Sequence, residues 1–161
     1  MSSHPANPSE GAGGDGSLPA GLSLTLGSWD ELRDAAGAVR QAVFVHEQGI
    51  PQSLEWDEAD SHCLHAVIFD ARQQPVATGR LLPDGHIGRM AVLANQRRSG
   101  LGGRVLVALM EAARARGHDR VVLSAQVHAL SFYRGHGFIA EGPVYDDVGI
   151  PHQDMVKALQ S

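Results

Sequence analysis

Cysteine is almost absent from this chain of 161 residues, which contains Cys63 and no other. A single cysteine excludes an internal disulfide framework and any zinc site that needs several cysteines. We therefore expect Cys63 to be a small buried residue, and the protein to work in a reducing compartment, the cytoplasm.

Long apolar runs are missing as well. No segment approaches the ~20 apolar residues that a bilayer-spanning helix needs, and the N-terminus has no hydrophobic signal segment, so we expect neither membrane insertion nor export. The 13 lysines and arginines are outnumbered by 18 acidic residues, which gives a formal net charge of −5. This balance predicts binding to neither nucleic acid nor anionic membranes.

What the sequence does contain is the composition of a globular protein. Hydrophobic residues make up 43% of the chain and charged residues 19%, which is typical of a protein with a packed core. The length suits one domain and is too short for two. Residues 1–20 are rich in glycine, serine and proline, which predicts a disordered leader, and residues 21–161 are predicted to form the single domain.

Hydrophobic periodicity predicts ten elements in the order β-α-β-β-β-α-β-α-β-β. Ser28 and Glu31 have capping-box spacing at the start of the first helix, and a loop is predicted over 46–60. A strand ending at Val92, the helix after it and the apolar strand 121–125 form a crossover unit, which should place the two strands parallel. The second of them should be buried on both faces. The predicted fold class is α+β, a three-layer α/β/α arrangement with a mixed central sheet.

The segment RRSGLGG (97–103) opens the helix of that crossover unit, with Ser99 as its predicted N-cap. A helix N-terminus leaves backbone N–H groups unpaired and carries a positive partial charge, and glycine lets a bulky anion approach closely. The segment therefore suits a pyrophosphate, with a tight packing turn as the open alternative. It lacks the Gly-Lys-Ser/Thr of a Walker A loop, and Val105 stands where a dinucleotide-binding fingerprint needs glycine.

Several segments together resemble the GCN5-related N-acetyltransferase (GNAT) superfamily. The pattern R-x-x-G-x-G at 97–102, after the strand end MAV at 90–92, resembles the family's pyrophosphate-binding motif, and SAQVHALSFYRGHGF (124–138) resembles its second signature. LRDAAGAVRQAVFVHEQ (32–48) and VYDDVGIPHQDM (144–155) resemble the ElaA-type branch. The resemblance implies the GNAT fold with two splayed parallel strands. It also implies transfer of an acetyl group from acetyl-coenzyme A to a primary amine of a small molecule by direct attack in a ternary complex.

The same resemblance implies which residues hold the cofactor. Backbone groups at the end of the first splayed strand bind the pantetheine and face the thioester carbonyl, and the start of the helix holds the pyrophosphate. Gln126 stands where many family members carry asparagine, which changes the reach of its amide. The implied cofactor-binding set is Met90, Ala91, Val92, Arg97, Arg98, Ser99, Gly100, Leu101, Gly102, Gly103 and Gln126.

Two side chains are implied to move protons. Tyr133 matches the family tyrosine near the sulfur, and a phenol of pKa ~10 suits a proton donor to a departing thiolate; a core aromatic is the alternative interpretation. His152 aligns with a histidine that serves as base in a related acetyltransferase, and histidine titrates near neutral pH. A water chain to Glu47 or Glu55 is a competing route for the amine proton.

The acceptor side is less constrained. Arg40 and Arg89 are candidates to face the acceptor pocket and bind a carboxylate or phosphate, whereas the acidic loop that includes Glu47 would attract a cationic amine. His65 and His128 are candidates to line the same cleft. The charge of the acceptor and the length of the acyl chain stay open, and a homodimer is a candidate assembly because dimers are common in this family.

Two other functions fit parts of the sequence. A metal enzyme would draw on the nine histidines, but His62 and His65 are three apart and would point to opposite faces of a strand. No HExxH pattern accompanies them, so no metal cofactor is expected. A non-catalytic acyl-CoA sensor would share the glycine-rich segment, and the presence of Tyr133 and His152 favours catalysis over sensing.

Overall fold

The computed structural model describes residues 18, 20–55 and 57–159. The predicted leader, 1–20, lies outside these ranges apart from Leu18 and Ala20, so it stays a prediction. The strands are β1 (Ser23–Gly27), β2 (Leu64–Phe69), β3 (Pro75–Leu81), β4 (Ile87–Val92), β5 (Arg120–Gln126), β6 (Ile139–Asp147) and β7 (Ile150–Ala158). The α-helices are α1 (Trp29–Arg40), α2 (Gln52–Glu55), α3 (Leu101–Ala115) and α4 (Leu130–Gly135). None of the helices in these ranges combines the length and apolar character needed to cross a bilayer.

The strands form two antiparallel sheets, one with the order β1-β2-β3-β4 and one with the order β5-β7-β6. Within the described residues the sheets meet at a parallel bridge between His86 and Val122, where the Val122 N–H donates to the Gly85 carbonyl over 3.2 Å. The predicted parallel crossover through α3 is therefore present at its beginning. Past the bridge β4 and β5 separate. The predicted α+β fold is confirmed, with its strands divided between two sheets.

The separation changes the environment of β5. We predicted burial on both faces, and this is wrong: Val121, Leu123 and Ala125 are buried, whereas Ser124 between them is exposed. Beyond the bridge β5 pairs with β7 alone, so one of its edges borders an open gap instead of a strand.

Helices cover both faces of the first sheet. Val67 packs against Leu32 and Ala36 of α1, whereas its neighbours Ala66 and Ile68 join the core that α3 completes. Successive strand residues point to opposite faces of a sheet, so α1 and α3 lie on opposite sides. This is the predicted three-layer arrangement.

The first helix begins as its capping box predicts. The Ser28 N–H donates to the Glu31 carboxylate over 2.8 Å, and the Glu31 N–H donates to the Ser28 hydroxyl over 3.2 Å. The chain then continues past Arg40 as a π-helical segment, Gln41–Glu47. The loop predicted over 46–60 is therefore wrong in part, since it also contains α2 and a 3₁₀ turn, Glu58–His62.

Burial explains why helical structure continues beyond α1. Val39, Val43 and Phe44 form one apolar cluster with Ala91 of β4. Ending the helix at residue 40 would leave part of that cluster in water, which would cost about 25 cal/mol of folding free energy per Å² of exposed apolar surface. A π-helical segment is uncommon and occurs frequently at functional sites; here it places its apolar side chains against β4.

Candidate active site

The gap between β4 and β5 opens into a cleft of about 500 Å³. Every residue of β4 contributes to its wall, together with three residues of β5, Leu123, Ser124 and Gln126. The π-helical segment, the start of α4 and the β6–β7 turn close the remaining sides. A strand edge without a partner keeps N–H and C=O groups available, so the cleft offers hydrogen bonds from backbone as well as side chains.

The start of α3 follows β4 after a short connection that contains a 3₁₀ turn, Ala94–Gln96. Ser99 was predicted as the N-cap, and this is wrong: the N-cap is Gly100, at φ +82°, with no side-chain hydrogen bond to the helix. The Ser99 hydroxyl instead donates to the Gln96 carbonyl. The left-handed conformation of Gly100 suits a residue without a Cβ. With no side chain acting as cap, the N–H groups of the first helical turn keep no partner within the helix.

Those N–H groups belong to Leu101, Gly102 and Gly103, because the Arg104 N–H already donates to the Gly100 carbonyl over 3.2 Å. Three adjacent amide donors and the positive end of a 15-residue helix together favour an anion. Arg98, the exposed residue just before this turn, has φ +70°. The loop therefore combines backbone donors with nearby positive charge.

Arg97 lines the cleft and links the end of β4 to the end of the π-helical segment. Its Nε donates to the Val92 carbonyl over 3.0 Å, and its two Nη atoms donate to the Glu47 carboxylate, each over 2.6 Å. That hydrogen-bonded pair lowers the pKa of Glu47. Glu47 itself is not part of the cleft wall.

Gln126 lies at the end of β5 and forms a reciprocal amide pair with Gln48 across the cleft. Gln48 Nε2 donates to Gln126 Oε1 over 3.1 Å, and Gln126 Nε2 donates to Gln48 Oε1 over 3.0 Å. His128 is exposed, and its Nε2 lies 2.6 Å from Gln126 Oε1; it contacts the pair but does not line the cleft. Gln48 was not predicted, and no local pattern in the sequence marks it.

Tyr133 lines the cleft from α4, with 7% of its surface exposed. Its ring packs edge-on against Phe132 at 5.0 Å and Phe138 at 5.9 Å between centroids. Burial raises the pKa of Tyr133, because a phenolate would lose its hydration. The phenol therefore stays protonated at neutral pH beside the gap, as a proton donor must.

His152 lies on β7 and faces the same cleft. Its Nδ1 is 2.7 Å from the Ile150 carbonyl oxygen, which can only accept, so Nδ1 carries the proton in this contact. In the neutral ring Nε2 then keeps its lone pair. The Tyr145 ring stacks on the imidazole at 6.1 Å and restricts its orientation.

Arg40 does not lie in the cleft, so the prediction that it binds substrate there is corrected. The side chain is 1% exposed and donates through both Nη atoms to the Asp60 carboxylate, each over 2.9 Å. His65 is buried too, with Nε2 2.9 Å from the Asp60 carbonyl oxygen, and does not line the cleft either. Both are structural residues in the layer between α1 and the first sheet.

Arg89, in contrast, lines the cleft, so its role in binding substrate stays a prediction, and Arg80 of β3 also lines it. Arg80 was missed, because an arginine within an apolar strand gives no signal of the direction in which it points. Among the described residues no group of histidine, cysteine and carboxylate side chains is arranged to hold a metal ion.

Comparison with known proteins gives consistent matches over almost the whole described chain. The sequence profile of the acetyltransferase (GNAT) domain matches residues 30–159. The uncharacterized N-acetyltransferase YjcF of Bacillus subtilis is 38% identical over 132 residues, covering 80% of this chain and 93% of that protein. An acyl-CoA N-acyltransferase from Pseudomonas aeruginosa superposes with a TM-score of 0.77 at 32% identity, covering 85% of this chain and 99% of its own. Escherichia coli ElaA superposes with a TM-score of 0.76 at 28% identity, covering 84% and 99%.

Proposed function

Because this chain belongs to the GNAT family and is an N-acetyltransferase, we propose that it moves an acetyl group from acetyl-coenzyme A to a primary amine of a small molecule. The amine attacks the thioester directly while both substrates are bound. The observation that carries the proposal is the cleft between β4 and β5, whose lining residues include both Tyr133 and His152. One cleft therefore holds a residue that can donate a proton and a residue that can accept one.

The residues at the start of α3 fit the diphosphate of coenzyme A. The unpaired N–H groups of Leu101, Gly102 and Gly103 would donate to its oxygens, and Arg98 would add charge. The pantetheine would follow the open edge of β4, from Met90 to Val92. Backbone N–H groups there would meet the thioester oxygen as it becomes negative, which is worth more in a dry cleft than in water.

The reaction uses two proton transfers, after which a proton passes from His152 to Tyr133 through solvent and restores both groups. The amine nitrogen bonds to the thioester carbon, and His152 Nε2 takes the proton that the nitrogen loses. The carbon–sulfur bond breaks, and the Tyr133 hydroxyl protonates the departing thiolate. The Nδ1–H bond to the Ile150 carbonyl supports this assignment, since it leaves Nε2 of His152 as the acceptor.

The competing base is less favourable on physical grounds. Arg97 stabilises the Glu47 carboxylate and lowers its pKa, which weakens it as a base. Glu47 also lies outside the cleft wall. The side chain of Glu55, the other acid on that route, lies outside the described side chains.

Replacing His152 with glutamine is expected to lower turnover about 10²-fold, because glutamine can hydrogen-bond but cannot take a proton. Steady-state rates would measure the effect, with His62→Gln as control, since His62 is exposed and outside the cleft wall. Wild-type turnover in His152→Gln would assign the base to another group.

The proposed reaction itself is tested by thiol release from acetyl-coenzyme A in the presence of a broad panel of small primary amines. We expect release well above hydrolysis with at least one amine, together with an acetylated product by mass spectrometry. Tight binding of coenzyme A with no amine-dependent release across the panel would instead indicate a sensor. The cytoplasmic location and a homodimer stay predictions.

A further inference from the structure

Two arginines stand side by side on neighbouring strands of the first sheet. Arg80 of β3 is 8% exposed, and its strand position pairs with Gly88, the residue before Arg89 on β4. Both residues line the cleft. Neither takes part in the proposed proton transfers, so their presence in a half-buried cleft needs another explanation.

The two arginines share one carboxylate, that of Asp57. Arg80 donates to Asp57 through Nη1 over 2.9 Å and through Nη2 over 3.2 Å. Arg89 reaches the same carboxylate only through Nη2, over 3.1 Å. Arg80 Nη1 also donates to the Asp60 carboxylate over 2.7 Å. Among the described residues, the only carboxylate that binds Arg89 is that of Asp57. Arg89 is therefore the less satisfied cation.

Two buried donors beside the cleft have no partner in the part of the protein that the structure describes. The Nε atoms of Arg80 and Arg89 are both buried, and neither has a hydrogen-bond partner within the described ranges. A buried donor without a partner loses its hydration and gains nothing in return. Native proteins leave few such groups, and a ligand that completes them is one physical explanation.

The backbone at Arg89 is held in an unfavourable conformation that directs it into the cleft. Arg89 has φ +50°, which is uncommon for a bulky residue inside a strand. It lies in a bulge where the register of β3 and β4 shifts between Thr78 and Arg80. Opposite the bulge stands Gly79, where a Cβ would come within 2.6 Å of the Met90 sulfur and 2.8 Å of Val105. Strain of this kind is retained mainly at functional positions.

The pKa values of the two arginines shift in opposite directions, in agreement with their different numbers of carboxylate partners. Burial lowers the pKa of Arg89, and the positive charges of Arg80 and Arg40 lower it further. Burial also acts against charge on Arg80, but its hydrogen bonds to Asp57 and Asp60 outweigh burial and raise its pKa. Asp57 and Asp60 act in the opposite direction on Arg89 but leave its pKa lowered, so of the two cations Arg89 is the one that its protein partners compensate less.

We infer that the acceptor carries an anionic group, a carboxylate or a phosphonate-like group, which Arg89 binds from the β4 bulge with Arg80 beside it. The inference rests on the function proposed above and narrows its substrate to an amine with an acidic group on the same molecule. Guanidinium groups bind such oxygens through paired, charge-assisted hydrogen bonds. The bound acid would anchor the molecule while its amine meets the thioester near His152.

Matched acceptors test this inference. The probes are ω-amino acids H₂N–(CH₂)ₙ–COOH with one to five methylenes, their carboxamides, and the corresponding aminoalkylphosphonates. Wild-type protein should acetylate the best acid or phosphonate about tenfold to a hundredfold more efficiently in kcat/KM than the carboxamide of the same length. Comparing the amino acids with the aminoalkylphosphonates shows which of the two anionic groups the site prefers.

Two variants of Arg89 locate the preference. Arg89→Gly removes the guanidinium and suits the left-handed backbone, so it should bring the acid-to-amide ratio close to one, mainly by raising KM for the acid. Arg89→Lys should keep part of the preference, because it keeps the charge without the paired donors. Gln73→Gly is the matched control, because Gln73 also has a positive φ, +64°, and lies in the turn between β2 and β3. The acid-to-amide ratio of this variant should equal that of wild type.

A binding measurement separates this inference from the proposed function. With coenzyme A at saturation, calorimetry should show the best acid binding to wild type and to Gln73→Gly, with the carboxamide and Arg89→Gly binding at least about tenfold more weakly. Equal handling of acids and amides by wild type, in turnover or in binding, overturns the inference. If no amine is acetylated but the acid still binds through Arg89, the proposed function fails and the anion site stands.

Discussion

Tyr133→Phe is expected to lower turnover on the order of 10³-fold while the affinity for coenzyme A stays within about twofold. The substitution removes the hydroxyl alone and keeps the ring that packs between Phe132 and Phe138. Without that donor, the thiolate must leave unprotonated into a half-buried cleft, where charge is poorly hydrated. Single-turnover rates and calorimetry with coenzyme A measure the two quantities separately.

Tyr145→Phe is the matched control, since the chain has two tyrosines. Tyr145 is exposed, its hydroxyl donates to Asp154 over 2.6 Å, and it is outside the cleft wall. Loss of the Tyr145 hydroxyl should change turnover by less than about tenfold, because it can act only by altering the orientation of the ring that stacks on His152. Wild-type turnover in Tyr133→Phe would remove Tyr133 from the acid role, and a parallel loss of coenzyme A affinity would indicate a binding role instead.

Asp60→Asn is expected to destabilise the fold by about 3–5 kcal/mol, the effect of removing one partner of a buried ion pair. Asp60 is fully buried, and its carboxylate accepts from Arg40 and Arg80. Asparagine would leave the Arg40 charge, which is 1% exposed, facing a neutral amide. Urea unfolding at pH 7 measures the loss. Asp84→Asn, which removes a carboxylate from the exposed pair with His86, should change stability by less than about 1 kcal/mol.

The same carboxylate predicts how stability depends on pH. Burial acts against ionisation of Asp60, but the hydrogen bonds and charges of Arg40 and then Arg80 hold its pKa at about 2. An unfolded aspartate titrates near ~3.9, so this stabilisation is present above about pH 4 and is lost as the pH falls towards 2. The drop in unfolding free energy over that range should be smaller in Asp60→Asn. An identical drop in both proteins would mean that other carboxylates control acid stability.

Local signals predicted much of the fold. The Ser28–Glu31 capping box and the apolar face of α3 depend on residues three or four apart, and both are present as predicted. The parallel approach of β4 and β5 also followed from the crossover through α3. Their separation was expected from the family resemblance alone, since no pattern within either strand indicates it.

Long-range pairing limited the prediction of the site. Asp60 lies 20 residues from Arg40 and also 20 from Arg80, and sequence alone gives no sign that these charges are buried together. Arg40 was therefore placed in the substrate pocket and Arg80 was overlooked. Ser99 failed as a cap for a local reason: Gly100 adopts a left-handed conformation that starts the helix one residue later than a serine cap would.

Cofactor binding depends most on the amide donors at the start of α3, and calorimetry of coenzyme A against pantetheine tests them directly. Pantetheine lacks the diphosphate, so wild-type protein should bind coenzyme A at least about tenfold more tightly. Gly102→Val, which brings a branched side chain to the donors, should reduce that difference. Equal affinity for the two compounds, or no association with coenzyme A, would contradict the central claim.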